Sequence, residues 1–360
     1  MTPARALALI TAAAALGAAP GTAVAQELRS PASLPEVEAP APAAAAATAA
    51  APSAAPASDG RIFGGTRVPP GAAPWQSEIY RRISDARWAQ HLRDHPQETR
   101  PRWELQHWCG GALIADDWIL TAAHCLLVDP QHSDLLLKPE YTARRAEVTV
   151  SREGQVSLSR CVAAQLVIDG FRVRLGSEDI ARDDGLTYRI DCAVVHPGWT
   201  PADIYHNDIG LVHFAADGAP PPRDLPGIRE IRLHKGLPPP DGTAVTVMGW
   251  GKTRAVPGFA PSAVLLQTDL GVQNAGFCAN RLGVTPGQVP AEVLCAGATG
   301  HKTCLGDSGG PVVFTNGKPN YLVGIVSWGR DDCASDALPG VYTRVGAYAA
   351  WIADVLEAPR

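Results

Sequence analysis

Beyond residue 61 the chain consists of short apolar runs of β-like character, separated by turns that are rich in glycine and proline. Runs of this length and composition are typical of antiparallel sheets rather than of helices. The pattern predicts an all-β barrel or sandwich domain. The predicted strands are Ala112–Ile114, Trp118–Leu120, Phe171–Leu175, Ala193–Val195, Ile209–Phe214, Ala244–Trp250, Pro311–Phe314, Tyr321–Trp328 and Gly340–Arg344.

One clear helix is predicted, at the C-terminal end of the chain. Its apolar residues recur at helical spacing and form a stripe that should dock on the body of the domain. These residues are Val345, Tyr348, Trp351, Ile352, Val355 and Leu356.

Two stretches have the character of insertions. Residues 80–108 are rich in arginine, histidine and tryptophan, and we expect their histidines to be scattered surface side chains rather than a metal site. Residues 126–170 contain a run, 147–160, that alternates in period two around Glu153-Gly154 and predicts a β-hairpin.

The N-terminal region is typical of an export signal. Arg5 precedes an apolar run over residues 6–19, and Ala23-Val24-Ala25 offers small residues for cleavage, so residues 1–25 are predicted to be a signal peptide. The run is shorter than the roughly 18–20 residues that a membrane span needs. Residues 26–61 are rich in proline and alanine and predict a flexible segment. We therefore expect a secreted or periplasmic protein without membrane contact after signal removal.

Charge and cysteine content exclude other classes. The net charge of −5, with no block of lysine or arginine, argues against a nucleic-acid partner. Eight cysteines in an exported chain predict four disulfides, and the lack of any CxxC pair argues against metal binding. They are Cys109, Cys125, Cys161, Cys192, Cys278, Cys295, Cys304 and Cys333.

The segment from Gly306 to Pro311, GDSGGP, places Ser308 among glycines. A serine on such a turn can expose its hydroxyl, and bare backbone N–H groups can approach a substrate oxyanion. A serine nucleophile needs a general base and an acid that orients the base. Upstream, His124 in LTAAHC and Asp208 in HNDIGLV are the candidates.

Together these segments resemble the chymotrypsin/trypsin family of secreted serine proteases, from Ile62 to Arg360. The shared motifs are IFGG, TAAHC, HNDIGLV, GWG at residues 249–251, GDSGGP, SWG at residues 327–329 and PGVYTRV at residues 339–345. The resemblance implies one domain, residues 62–360, of two antiparallel six-stranded β-barrels with a C-terminal helix. It also implies a serine endopeptidase that cleaves proteins or peptides through an acyl-enzyme.

The resemblance implies a role for each site residue. Ser308 attacks the scissile carbonyl, His124 takes its proton, and Asp208 orients His124. The backbone N–H groups of Gly306 and Ser308 form the oxyanion hole. The edge formed by Ser327, Trp328 and Gly329 pairs with the substrate backbone.

The family pattern also assigns the pro-segment and the disulfides. Residues 26–61 become a pro-segment, because cleavage after Arg61 by an activating protease would free the Ile62 amine to pair with Asp307. Three disulfides are implied by the family: Cys109–Cys125, Cys278–Cys295 and Cys304–Cys333. Cys161 and Cys192 are left for the fourth, Cys161–Cys192.

The specificity pocket departs from the family. Trypsin-like enzymes have an aspartate where this chain has Lys302, while Gly329 and Gly340 leave the pocket walls open. Lys302 would repel basic P1 residues and could pair with acidic ones. Alternatively it turns outward or pairs with Asp336, which leaves an apolar pocket. A basic preference would require an inward aspartate, from Asp331, Asp332 or Asp336.

The family's calcium loop is altered as well, since Leu186 and Thr187 stand at ligand positions. Glu178, Asp179, Asp183 and Asp184 could still bind Ca²⁺, but a solvated acidic loop is expected, and no metal or other cofactor is predicted. The non-enzyme alternative is a catalytically weak protease-like binding protein or adhesin. An esterase-only hydrolase is the alternative among enzymes.

Overall fold

The short apolar runs pair into two closed antiparallel barrels. A computed structural model of the chain describes residue 62 and residues 64–126, 149–150, 156–157, 170–200, 206–215, 218–252, 261–315, 317, 319–328 and 340–358. The predicted signal peptide, the pro-segment and most of the second insertion lie outside the described residues. Within the described part, no helix is long and apolar enough to cross a membrane.

The first barrel has six strands in the order β2-β3-β4-β9-β8-β7, and pairing of β7 with β2 closes it. Its strands are β2 (Gln76–Arg81), β3 (His107–Ala115), β4 (Trp118–Thr121), β7 (Phe171–Leu175), β8 (Leu186–Val195) and β9 (Gly210–Ala215).

The second barrel also has six strands, in the order β12-β11-β14-β15-β16-β13, and pairing of β13 with β12 closes it. Its strands are β11 (Ala244–Gly249), β12 (Leu266–Val272), β13 (Val293–Gly297), β14 (Pro311–Thr315), β15 (Asn320–Trp328) and β16 (Gly340–Arg344). The predicted fold of two six-stranded barrels is confirmed.

Short strands complete the sheets. β1 (Thr66–Arg67) pairs with β12, and β10 (Arg232–Leu233) pairs in parallel with β15. In the second insertion, β5 (Thr149–Val150) pairs antiparallel with β6 (Val156–Ser157), which confirms the predicted hairpin.

The barrel interiors follow the period-two rule for strands. In β12, the buried residues Leu266, Thr268, Leu270 and Val272 alternate with more exposed neighbours. Alternation puts one set of side chains inside the barrel, so a one-residue slip would expose the entire set. The second barrel's core contains mainly valine and leucine, including Val245, Val247, Leu294 and Val312.

Four helices are present in the described part, where the sequence predicted one: α1 (Asp85–Asp94), α2 (Arg102–Gln106), α3 (Ala275–Leu282) and α4 (Ala349–Glu357). The Ser84 side chain caps the start of α1, and Asn274 caps α3. Gly283 ends α3 in a left-handed conformation with φ 73°. These cap signals were present in the sequence, but α1 and α3 are too short for a strong helical period.

The predicted C-terminal helix is confirmed, and its apolar stripe docks as expected. Trp351, Ile352 and Val355 of α4 are buried in the same cluster as the interior residues of the first barrel. Tyr348, just before α4, extends this contact, because its hydroxyl accepts a hydrogen bond from the Asn207 N–H at 3.1 Å. The end of the chain therefore braces the residue that precedes Asp208.

The expectation of scattered surface histidines in the first insertion is wrong for two of them. His91 is 4% exposed and stacks on Trp88 and His95, with ring centroids 5.3 Å and 4.5 Å apart. His107 is 2% exposed because it belongs to β3. His91 is buried by ring stacking within and beside helix α1, and His107 is buried because β3 is a strand of the closed barrel.

Candidate active site

His124 lies in a single 3₁₀ turn, Ala123–Cys125, directly after β4. The disulfide Cys109–Cys125 ties this turn to β3. The indole N–H of Trp108 also donates to the Cys125 carbonyl at 2.9 Å. The imidazole is held on a short, doubly anchored turn and is 34% exposed, so a substrate can reach it.

Asp208 precedes β9 and is 2% exposed. Its Oδ2 lies 2.8 Å from His124 Nδ1, and its Oδ1 accepts the His124 backbone N–H at 2.9 Å. The Ser327 hydroxyl donates to Oδ2 at 2.5 Å. Asn207 adopts a left-handed conformation, φ 58°, immediately before it. The carboxylate thus fixes the orientation of His124 from two directions.

The electrostatics of Asp208 favour its ionised form. Burial alone would raise its pKa, but the charge of His124 and hydrogen bonds from His124 and Ser327 together hold the pKa below its ordinary value. A carboxylate that stays charged in a buried position can keep the proton of His124 on Nδ1 and leave Nε2 free to accept one.

Ser308 lies in a tight loop between Cys304 and Gly310. Next to Ser308, Gly309 packs against Thr121 at the end of β4, the strand that leads to His124. The Gly110 N–H donates to the Ser308 carbonyl at 2.8 Å. Gly309 has φ +75°, and a Cβ there would collide with Thr121 Oγ1 and lie 2.6 Å from the Gly110 carbonyl. Only glycine permits this approach, which places Ser308 beside the turn that holds His124.

Asp307, next to Ser308, is completely buried. Its carboxylate accepts hydrogen bonds from the backbone N–H groups of Gly251 and Cys304, both at 2.8 Å. Burial raises its pKa to about 6, against the lowering effect of these two bonds and of His107. Ile62 is also fully buried, and its pairing with Asp307 after cleavage stays a prediction.

The other predicted site residues lie around this loop. Ser327 and Trp328 end β15 next to Asp208, and Gly340 begins β16 with its backbone against the Tyr342 hydroxyl. The guanidinium of Arg281 lies 4.8 Å from the Trp328 ring centroid. Lys302 is half-buried. Residues 61, 329, 331, 332 and 336 lie outside the described residues.

The cysteine predictions are confirmed for two pairs, Cys109–Cys125 and Cys278–Cys295. Cys192 and Cys304 are also disulfide-bonded. Their predicted partners, Cys161 and Cys333, lie outside the described residues.

The acidic loop uses its carboxylates for contacts within the protein. Glu178 accepts the Gly71 N–H at 3.0 Å, and Asp179 pairs with Arg182 at 3.0 Å. Asp183 pairs with Arg174, and Asp184 accepts the Ser177 hydroxyl. Each of the four carboxylates thus has a donor within the protein, and the expected lack of a Ca²⁺ site stays a prediction.

One further cluster of metal-ligand type consists of Cys109, His124 and Cys125. Both of its sulfur atoms are in a disulfide, so the cluster offers no thiolate to a metal. The absence of a cofactor stays a prediction.

Sequence reasoning missed four residues that contact the site or lie directly behind it. His107 donates to the Gly306 carbonyl at 3.0 Å, and Glu78 and Arg174 lie behind His107. The Thr343 hydroxyl donates to the Asp208 carbonyl at 2.8 Å. Each is an ordinary residue within a strand, and only the folded arrangement of the strands in the two barrels brings it to this place.

A family model described as Trypsin matches residues 62–157 and 156–352. The chain belongs to the trypsin family of serine endopeptidases. It is 31% identical over 248 residues to trypsin from Sarcophaga bullata, which covers 69% of this chain and 78% of that one. It is 30% identical over 309 residues to human serine protease 56, which covers 83% of this chain but only 39% of the human protein.

A solved structure of mouse neuropsin, a serine protease expressed in the limbic system, has the same trypsin fold. The TM-score is 0.55 at 23% identity, and the match covers 83% of this chain and 99% of neuropsin. At this identity the likeness supports the fold alone.

The opposite pKa directions of the two buried aspartates predict opposite effects on stability. The pKa of Asp307, about 6 against an ordinary 3.8, lets the folded chain bind more protons, so stability falls as the pH rises through this window. Asp307→Asn should therefore gain stability relative to its parent between about pH 4 and pH 6, by up to about 3 kcal/mol. Urea unfolding of the uncleaved chain, with Ser308→Ala as the parent, measures this.

Asp208→Asn in the same parent is the matched control. Because the pKa of Asp208 is lowered, its ionised form contributes stability above its ordinary value of 3.8, and that stability is lost as the pH falls through the folded pKa. This variant should lose stability relative to the parent as the pH rises toward and past that value. Two differences that run in the same direction would contradict the assignment.

Proposed function

We propose that this trypsin-family chain is a secreted serine endopeptidase that hydrolyses peptide bonds in proteins through an acyl-enzyme. The observation that carries the proposal is the hydrogen-bonded set of His124, Asp208 and Ser327, with Ser308 held on a glycine turn against the strand before His124. A buried carboxylate behind an accessible imidazole is the arrangement that activates a serine nucleophile.

The proposed reaction follows from this geometry. Ser308 attacks the scissile carbonyl while His124 Nε2 accepts its proton, and His124 then protonates the leaving amine. Asp208 holds the ring in place and stabilises the imidazolium that forms. The N–H groups of Gly306 and Ser308 stabilise the oxyanion, and water repeats the cycle on the acyl-enzyme.

Three variants test these roles. Ser308→Ala should abolish labelling by a fluorophosphonate probe and hydrolysis of a protein substrate. Asp208→Asn should lower kcat by about 10⁴-fold, the typical loss when the aspartate of a Ser-His-Asp triad becomes an amide and the histidine takes the wrong tautomer. Ser84→Ala, which changes only the cap of α1, is the control and should keep both activities.

Two other outcomes would each support a different function. Labelling without hydrolysis of protein substrates would favour an esterase. A native chain that does not label at all would favour a binding protein or adhesin.

We further propose export through residues 1–25 and synthesis as a zymogen that is activated by cleavage after Arg61. The support is physical: Asp307 is a buried carboxylate with a raised pKa, held by two backbone N–H groups. These two N–H groups carry no net charge. Ile62 is buried as well, and a free ammonium at its backbone nitrogen would supply a positive charge for the Asp307 carboxylate.

Active enzyme should therefore begin at Ile62 when its N-terminus is sequenced. Purified precursor should stay inactive on incubation and convert when a protease that cuts after arginine is added, because the proposed pocket rejects arginine. Arg61→Gln is the matched control and should resist conversion. Activity in a chain that still carries residue 61 would contradict this proposal.

The P1 preference is proposed to be acidic or apolar rather than basic. Lys302 occupies the position that an aspartate holds in trypsin-like enzymes, and an ammonium near the pocket base repels a second cation. An acidic P1 side chain could form an ion pair with Lys302. If Lys302 instead turns away from the pocket to a partner within the protein, the pocket is apolar and would bind an apolar P1 side chain.

A peptide library cleaved by Ile62-started enzyme measures this preference. If P1 is acidic, Lys302→Gln should lower kcat/KM for glutamate substrates by at least about 10-fold relative to leucine substrates, as expected for loss of a charge pair. If P1 is apolar, Lys302→Gln should leave the ranking unchanged. Lys235→Gln, at an exposed lysine, is the control. Preferred cleavage after arginine would contradict both forms of the proposal.

A further inference from the structure

A buried row of charged side chains crosses the first barrel and reaches the nucleophile loop. It consists of Arg174 on β7, Glu78 on β2 and His107 on β3, whose side chains are 6%, 2% and 0% exposed. Buried charges are costly unless they are paired and hydrogen-bonded. None of the three has a part in the proposed chemical steps, so their arrangement needs its own explanation.

The contacts of His107 fix the orientation of its ring. Its Nε2 lies 3.0 Å from the Gly306 carbonyl oxygen, and its Nδ1 lies 2.9 Å from Glu78 Oε1. A carbonyl oxygen can only accept, so Nε2 carries the hydrogen of the bond to Gly306. The carboxyl group of Glu78 holds the other side of the ring through Nδ1.

Glu78 is paired on its other side. Its Oε2 lies 3.1 Å from Arg174 Nη1, and Arg174 also pairs with Asp183. The strand register is consistent with these contacts, because Glu78 stands opposite Arg174 on one neighbouring strand, while His107 on the other stands opposite Tyr80, two residues from Glu78. Glu78 thus lies between two basic side chains, with Arg174 at Oε2 and His107 at Oε1.

The row ends on Gly306, which lies in a turn closed by the bond from the Asp307 N–H to the Cys304 carbonyl at 3.0 Å. Gly306 has no side chain and a φ of +95°, so its backbone can turn more freely than that of any other residue. Its carbonyl, in the peptide to Asp307, is held by His107, while its N–H, in the peptide from Leu305, is a proposed oxyanion donor. Because only the two backbone bonds at the Gly306 Cα separate these peptides, fixing the carbonyl limits the directions in which the N–H can point.

The outer end of the row is open to solvent. Asp183 is 83% exposed. A cavity of about 170 Å³ lies beside Arg174 and is also lined by Tyr80, Arg102 and Trp103. The row therefore links a surface loop of the first barrel to the backbone next to the nucleophile.

We propose that Glu78 is a positioning residue for peptide hydrolysis: through His107 it holds Gly306 in the backbone conformation whose N–H stabilises the oxyanion, and Arg174 and Asp183 support it from the surface. The proposal rests on the proposed function. Because it acts on the transition state, loss of Glu78 should lower kcat and leave substrate binding unchanged.

The test uses Ile62-started enzyme and a peptide substrate of the preferred sequence. Glu78→Gln keeps the shape but replaces the carboxyl group that contacts His107 and Arg174 with an amide. We expect kcat to fall by about 10-fold or more, toward the 10²–10³-fold loss of a full oxyanion donor, with KM within twofold. Glu98→Gln is the matched control, because Glu98 also pairs with an arginine and lies near a histidine, in the first insertion; it should keep the parent kcat.

A double-mutant cycle separates positioning from general damage to the barrel. If Glu78 acts through His107, Glu78→Gln combined with His107→Gln should be no slower than the slower single variant. Losses that multiply, a raised KM with parent kcat, or an unchanged kcat in Glu78→Gln would each overturn the proposal.

A variant at the exposed end covers the case in which Glu78→Gln does not fold. Asp183→Asn should lower kcat by about two- to fivefold at constant KM, a modest loss because a solvated pair is weak. In that case a parent kcat in Asp183→Asn overturns the proposal. An inactive parent enzyme that fails to label at Ser308 would instead refute the proposed function itself.

Discussion

One buried carboxylate, that of Asp208, receives hydrogen bonds from both barrels. His124 donates to it from the first barrel, and the Ser327 hydroxyl donates from β15 of the second. Thr343 of β16 holds the Asp208 backbone carbonyl. A buried ionised carboxylate is stable only when it is hydrogen-bonded, so the two barrels must keep their relative position for the site to form. The cost of burying this one carboxylate therefore links the placement of the two barrels to the geometry of the site.

Much of the fold could be predicted from the sequence, because strand signals are local. The alternation in β12 and the apolar runs of β9 and β15 already mark these strands, and the serine, histidine and aspartate motifs mark three loops. Helices α1 and α3 were missed because they are too short for the helical period to repeat often, although Ser84, Asn274 and Gly283 are cap signals. A periodic pattern predicts a helix or strand well only when it repeats over enough residues.

The charged row behind the site could not be predicted, for a different reason. Glu78, His107 and Arg174 are separated by 29 and 67 positions along the chain, and no local pattern links them. They meet because β2 pairs with β3 on one side and with β7 on the other, which only closure of the barrel brings about. In the sequence, His107 belongs to a histidine-rich insertion, and this composition predicted an exposed side chain. The pairing of β3 in the barrel buries it instead.

The two barrels contribute different kinds of chemistry to one cleft. The first supplies ionisable side chains, His124 and His107 with their carboxyl partners, on anchored strands and turns. The second supplies a glycine loop, whose small residues allow close approach but whose backbone is intrinsically free to turn. Backbone bonds within the second barrel, such as the Gly309 N–H to the Val326 carbonyl at 2.7 Å, order this loop. The bonds from Gly110 to Ser308 and from His107 to Gly306 add restraint from the first barrel. A loop that must approach a substrate closely cannot carry bulky side chains, so its order has to come from backbone bonds to both barrels.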